Sequence, residues 1–466
     1  MPARKAFISQ RVFLDCGITA ASIIVENGKI LQILTGDERN ISKDDVNEII
    51  DAGNMLIMPG VVDCHVHVNE PGRTAWEGYV TATKAAAAGG VTTIVDMPLN
   101  SIPSTVTLPA FNTKLREADA KCHVDVGFWG GIVPGNQNEL IPMLNAGVMG
   151  FKCFLIHSGV DDFPSVDRSD LEKAFQVLQG TPAVVLFHAE VDCNCGSNGN
   201  KDKEPRKYET FLQSRPEDME LEAIKLVCEM CLKYRVRCHI VHLSAAKALP
   251  LIVQTKKAGG PLTVETCHHY LTLESETIPD GATEYKCCPP IREKSNQEQL
   301  WDALKQGYID MVVSDHSPCT PDLKELDKGD FMSAWGGIAS VQLGLTLFWT
   351  NCQKHSMSLE DLVKLLCKKT ADMASLGHRK GSIKEGYDAD FVIWDPDSAY
   401  TVHKNSIHFK NKVTPYMGKV LQGVVKSTIV RGEVVFDKGQ FQEKPLGQFL
   451  LNEKTKTSSN ISGAKL

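Results

Sequence analysis

Nowhere in the chain does an apolar run reach the ~18 residues that a membrane-spanning helix needs. The opening stretch MPARKAFISQRVFL carries positive charge but no apolar segment followed by a small-residue cleavage site. Secretion is therefore not expected, and the sequons Asn40-Ile-Ser and Asn460-Ile-Ser are read as chance matches. Basic blocks are missing too: Lys plus Arg number 50 against 57 Asp plus Glu, a formal charge of −7, which sets nucleic acid aside and favours a small-molecule partner. No second CxxC accompanies Cys228-Glu-Met-Cys231, and neither Cys193-Asn-Cys195 nor Cys287-Cys288 has a partner pair at zinc-finger spacing. The 15 cysteines are odd in number and scattered over residues 16–367, the usage of reduced thiols. Gly89-Gly90 and Gly336-Gly337 lack a GxGxxG context, so no dinucleotide fingerprint is present.

What is present is an ordinary globular composition, 42% apolar and 23% charged over 466 residues. Short alternating strand patterns with glycine turns occupy two distant segments, AFISQRVFL and ASIIVENGKILQIL near the start, ADFVIWD and VVKSTIVRGEVVF near the end. Between them, apolar strand-like runs alternate with amphipathic helical stretches: 60–68, 90–98, 123–132, 148–155, 183–190, 237–244, 262–270 and 309–317. Ser169-Asp-Leu-Glu172 reads as a capping box opening a helix, and a second helix runs from Pro216 to Tyr234 with early acids and Leu221, Ile224, Cys228 and Cys231 on one face. Eight β/α units predict an α/β fold, a (β/α)8 TIM-type barrel over 59–379. Residues 1–58 and 380–450 are expected to form a small discontinuous β-sandwich domain from both chain ends, and 451–466 a polar, flexible tail.

In such a barrel, polar residues that end an apolar run face the active site. His65-Val-His67 ends the first run with period-two spacing, which turns both imidazoles to one side of a strand as two ligands of one metal require. The fifth run carries His188, the sixth His242 and the eighth Asp315. Taken singly, a buried histidine is more often a hydrogen-bonded core residue than a ligand; the coincidence of positions is what argues for a metal centre. Lys152 lies inside the apolar fourth run, where an ammonium loses solvation. Carboxylation by carbon dioxide would turn that cation into an anionic carbamate able to bridge two metal ions. For the vicinal pair His268-His269, one ring facing the barrel mouth competes with the plainer reading that both pack structurally.

The stretches MPGVVDCHVHVNEPGRTAWEGY, AAAAGGVTTIVDMPLNSIPSTV, GFKCFL, ETCHHYL, KCCPPIR, VVSDHSPC, AWGGIASVQ, GSIKEGYDADFVIWDP and TIVRGEVV cover nearly the whole chain apart from its tail. In them the chain resembles the metal-dependent amidohydrolase superfamily and, within it, the cyclic amidohydrolases: allantoinases, hydantoinases or dihydropyrimidinases, and dihydroorotases, the allantoinases being most similar. The resemblance implies that His65, His67 and Asp315 hold one zinc, that His188 and His242 hold a second, and that Lys152, as N6-carboxylysine, bridges them. It implies a shared hydroxide as nucleophile, Asp315 as the catalytic proton shuttle, and opening of the hydantoin ring of (S)-allantoin to allantoate in purine and ureide degradation. Dihydroorotases carry an arginine where this chain has Asn69, and hydantoinases a tyrosine where it has His157; both departures favour allantoinase, with hydantoinase the alternative. Asn69, His157, Cys287, Ser317, Gly336 and Gly337 are the implied substrate contacts. A non-catalytic assembly protein of the same fold is a remote alternative, disfavoured because all six ligand positions are kept. Relatives suggest a homotetramer. The closing Ala464-Lys465-Leu466 is similar to a peroxisomal address, with cytoplasm or mitochondrion as alternatives.

Overall fold

The computed structural model describes residues 3–39, 41–42, 45–193 and 204–452. Ala464-Lys465-Leu466, Cys195 and both sequon asparagines lie outside the described residues.

All eight apolar runs form strands. They are Val61–Val66, Val91–Asp96, Asp125–Phe128 with its continuation Gly130–Gly131, Phe151–Phe154, Val184–His188, Arg237–Ile240, Leu262–Cys267 and Met311–Val313. Each pairs in parallel with the next. The ring closes where Val66 bridges His316 and the His67 N–H donates to the His316 carbonyl at 2.8 Å. The strands read as continuous apolar runs because helices cover the outside of the barrel and side chains fill its inside, so nearly every strand residue is buried.

The helix Arg168–Leu178 corrects the expected cap. Its N-cap is Asp167, whose carboxylate accepts from the Asp170 N–H at 2.9 Å while Asp170 accepts in return from the Asp167 N–H. Ser169 already lies within the first turn, so the reciprocal box sits two residues earlier than Ser169–Glu172. The helix Glu217–Tyr234 starts after Pro216, carries three acids in its first turn and buries Ile224, Cys228 and Cys231.

Both chain ends contribute to one nine-stranded sheet. Arg4–Leu14, Gly17–Glu26, Lys29–Thr35, Phe391–Thr401 and Val420–Val430 match the alternating patterns in the sequence. The short strands Glu48–Asp51 and Leu56–Pro59 had no such pattern. This sheet has its own core around Phe7, Ile23, Ile57, Phe391 and Ile429. It is joined to the barrel by buried ions: the Lys380 ammonium reaches Asp125 of the third barrel strand at 2.6 Å, Asp390 at 2.5 Å and Asp388 at 3.1 Å, while Arg431 also reaches Asp125. The expected tail begins in ordered chain, since the Leu450 N–H donates to Val126 and the Asn452 N–H to Gly147. That segment runs alongside the third barrel strand, with Phe449 in parallel register with Val126 and set edge-on against Phe128.

Candidate metal centre and substrate cavity

At the carboxyl ends of the barrel strands lies a cavity of about 550 Å³, lined by His65, His67, Lys152, His188, His242 and Asp315 together. The strand register explains the convergence. Lys152 sits beside Leu186 and Phe154 beside His188, so Lys152 and His188 stand two residues apart in register and point to the same face of the sheet. His242 and Asp315 follow the ends of their strands with φ of 39° and 43°, the left-handed region that non-glycine residues occupy only where surrounding structure holds them.

The rings of His65 and His67 are 5.5 Å apart, those of His65 and His242 5.5 Å, and those of His188 and His242 4.6 Å. Asp315 Oδ1 lies 3.1 Å from His65 Nε2 and 3.5 Å from His67 Nε2. Carboxylates behind the cavity orient the rings: Glu265 receives His65 Nδ1 on one oxygen and His239 Nε2, at 3.0 Å, on the other. Glu190 lies 2.7 Å from His188 Nε2 and is itself gripped by Arg215 at 2.7 Å. Phe154 stacks on His188 at 4.3 Å.

The charges follow from this packing. Burial pushes the His65 imidazole down, but the Asp315 and Glu265 carboxylates outweigh it and raise it to about 9. Burial also pushes the Asp315 carboxyl up, but His65 and His67 more than offset that and hold it well below the usual carboxylate range. Burial, then the Lys152 ammonium, carries His188 and His242 well below the ordinary imidazole value. Lys152 is pushed down to about 8 by burial; its Nζ meets the Phe154 ring at 5.2 Å and forms no ion pair among the described residues.

The donor set fits divalent cations. His65, His67 and Asp315 approach closely enough to share one ion, and buried His242 Nδ1 has no hydrogen-bond partner among the described residues. Imidazole and carboxylate are the ligand types that zinc and its neighbours accept. Asp125, Asp388 and Asp390 also cluster, but Lys380 fills their centre.

Of the expected substrate contacts, His157, Ser317 and Gly336 line the cavity and Asn69, Cys287 and Gly337 do not. Asn69 is buried, with its amide turned to the Pro318 carbonyl at 3.3 Å. Cys287 is buried, and its neighbour Cys288 faces the cavity instead. Gly337 is a packing glycine: a Cβ there would stand 2.2 Å from the Ser317 carbonyl oxygen. The two vicinal histidines diverge. His268 packs against Gly344, whereas His269 forms a second buried group with Cys267 and Asp315.

Sequence reasoning passed over Asn100, Arg215, Lys286 and Trp335, which line the cavity, and Glu190 and Glu265 behind it. Glu265 carried a signal: it is an acid inside the apolar run Leu262–Cys267.

The amidohydrolase family model matches residues 56–435. The chain is 55% identical over 376 residues, 81% of this chain and 77% of the relative, to the mitochondrial allantoinase of Aquarana catesbeiana. It is 47% identical over 461 residues, 97% of this chain and 99% of the relative, to the allantoinase of Saccharomyces cerevisiae. Among solved structures, L-hydantoinase (dihydropyrimidinase) from Arthrobacter aurescens superimposes with a TM-score of 0.89 at 31% identity, covering 97% of this chain and 100% of that one. Barrel, cavity and sequence agree: the chain belongs to the amidohydrolase family.

Proposed function

We propose that this protein opens the hydantoin ring of (S)-allantoin by hydrolysis, giving allantoate. The observation that carries the reading is the convergence of four histidines, a buried lysine and an aspartate on one cavity of a size suited to a small molecule. The relatives named as allantoinases are 55% and 47% identical to the chain, against 31% for the hydantoinase. The alternative, a hydantoinase-type activity, draws on that shared fold.

His65, His67 and Asp315 would hold one cation, His188 and His242 another, with Lys152 as a carbamate between them. Zinc with carbon dioxide on Lys152 is the set proposed, because imidazole, carboxylate and carbamate donors suit it. When bound, two such cations supply Lewis acidity to the amide carbonyl and lower the pKa of water. The carboxylate of Asp315, kept ionised by His65 and His67, is placed to accept a proton from the attacking water and return it to the departing ring nitrogen. Glu265 and Glu190 hold the rings of His65 and His188 in orientation. Assembly as a homotetramer and a peroxisomal address belong to the same proposal, on the strength of the family resemblance and the closing tripeptide.

The test is a turnover panel of allantoin, hydantoin and dihydroorotate on the metal-loaded protein. Allantoin is expected to have the highest kcat/KM. A preference for hydantoin would transfer the assignment to the alternative, and turnover of none would leave the assembly reading.

A further inference from the structure

The segment from Met332 to Gly336 supplies one wall of the cavity, although it belongs to no helix or strand. Two lysines hold it. Lys286 Nζ donates to the carbonyls of Met332 at 3.1 Å and of Ala334. Lys324 Nζ donates to the carbonyls of Trp335 at 3.0 Å, of Lys286 at 3.3 Å and of Gly337. These lysines are only 6% and 3% exposed, and among the described residues neither is ion-paired with a carboxylate.

A buried ammonium without a counter-ion is costly. Here the carbonyl dipoles of one short stretch of main chain take the place of the anion. Most N–H groups of the stretch are engaged as well. Trp335 donates to Leu323 at 2.8 Å, Gly337 to Lys286 at 2.9 Å and Ala334 to Asp330 at 3.0 Å, while Met332 and Ser333 donate to the Asp330 carboxylate at 2.7 and 3.2 Å. Close packing of Gly337 on Ser317 ties the far end of the wall to the loop that carries Asp315. The Trp335 ring is set edge-on against Trp76 at 4.8 Å and lies over Gly159.

The metal donors act from the strand ends on the amide that is cleaved. Allantoin carries a ureido group whose N–H and C=O groups unsubstituted hydantoin lacks, and these need partners fixed in space for the two to be told apart. We infer that Lys286 and Lys324 are positioning residues that set the substrate-recognising wall of the cavity, acting through the main chain of residues 332–337. The inference rests on the ring-opening reading, for which it names the recognition element.

Lys286→Gln and Lys324→Gln in the full-length, metal-loaded protein test it, with KM, kcat, metal content and the three-substrate preference as readouts. KM for the preferred substrate should rise about tenfold, the scale of one or two lost hydrogen bonds. Metal content should stay as in the parent, kcat should change less than about threefold, and the preference should narrow, the pattern of lost binding and not of lost chemistry. An unchanged KM overturns the inference, as does a fall of kcat and metal content with KM unmoved. Hydrogen exchange on the unaltered protein decides independently of how the variants fold: the main-chain-bonded amides of Ala334, Trp335 and Gly337 should exchange as slowly as those of the barrel strands, and exchange as fast as in an exposed loop overturns the inference. Failure of the ring-opening reading would show separately, as a parent protein that prefers another substrate of the panel; the wall is then judged on that substrate.

Discussion

A lysine ammonium survives inside an apolar strand only when something shares or removes its charge. Lys152 is pushed down to about 8 by burial, so neutral amine is available near neutrality to attack carbon dioxide, and a carbamate there would face four histidines that accept cations. Asp315 shows the opposite environment, a carboxyl kept ionised by His65 and His67 although burial opposes it. Asp315→Asn keeps the volume but removes the base, so kcat should fall by about 10²–10⁴ while circular dichroism stays that of the parent. Near-normal turnover in that variant would move proton transfer to another group, His269 being the nearest candidate in the buried group with Asp315. The six residues that converge on the cavity stood out in the sequence because each is a polar residue within or closing an otherwise apolar run. Asn69, Cys287 and Gly337 do not line the cavity with their side chains, and spacing alone does not report which way a loop faces. Lys286 and Lys324 gave no signal, because their partners are carbonyls of chain distant in sequence.

Elements were read more securely than their boundaries. Eight parallel strands appear where eight apolar runs stood, since burial on both faces removes the polar alternation that marks a surface strand. The strands Glu48–Asp51 and Leu56–Pro59 escaped notice because neither EIID nor LIMP shows the apolar–polar alternation of the segments beside them. The buried ions between barrel and end sheet were equally invisible, as Asp125 and Lys380 are 255 positions apart. Lys380 is fully buried among Asp125, Asp388 and Asp390, so Lys380→Met leaves carboxylates facing one another with Arg431, Arg379 and Lys29 as the remaining cations. Removing one partner of such a group costs about 3–5 kcal/mol. The melting temperature of this variant should drop by several degrees, with its kcat close to the parent's if it is measured well below that temperature. An unchanged melting temperature would mean that the two sheets are held together by apolar packing alone.

At the scale of the whole molecule, the end sheet and the barrel form the frame, and the chemistry is confined to the carboxyl ends of the strands, as in other barrels of this kind. In the proposed centre, one buried lysine joins residues from five different strands and their ends into a site for two cations. Elemental analysis of the purified protein alongside its Lys152→Ala variant, with turnover measured on the same samples, tests it most directly. The parent should carry about two divalent cations per chain, as a shared two-metal site requires. Lys152→Ala should lose metal and turnover together, and short carboxylic acids added to it should partly restore both by standing in for the carbamate. A Lys152→Ala protein that kept both cations and full turnover would contradict the account.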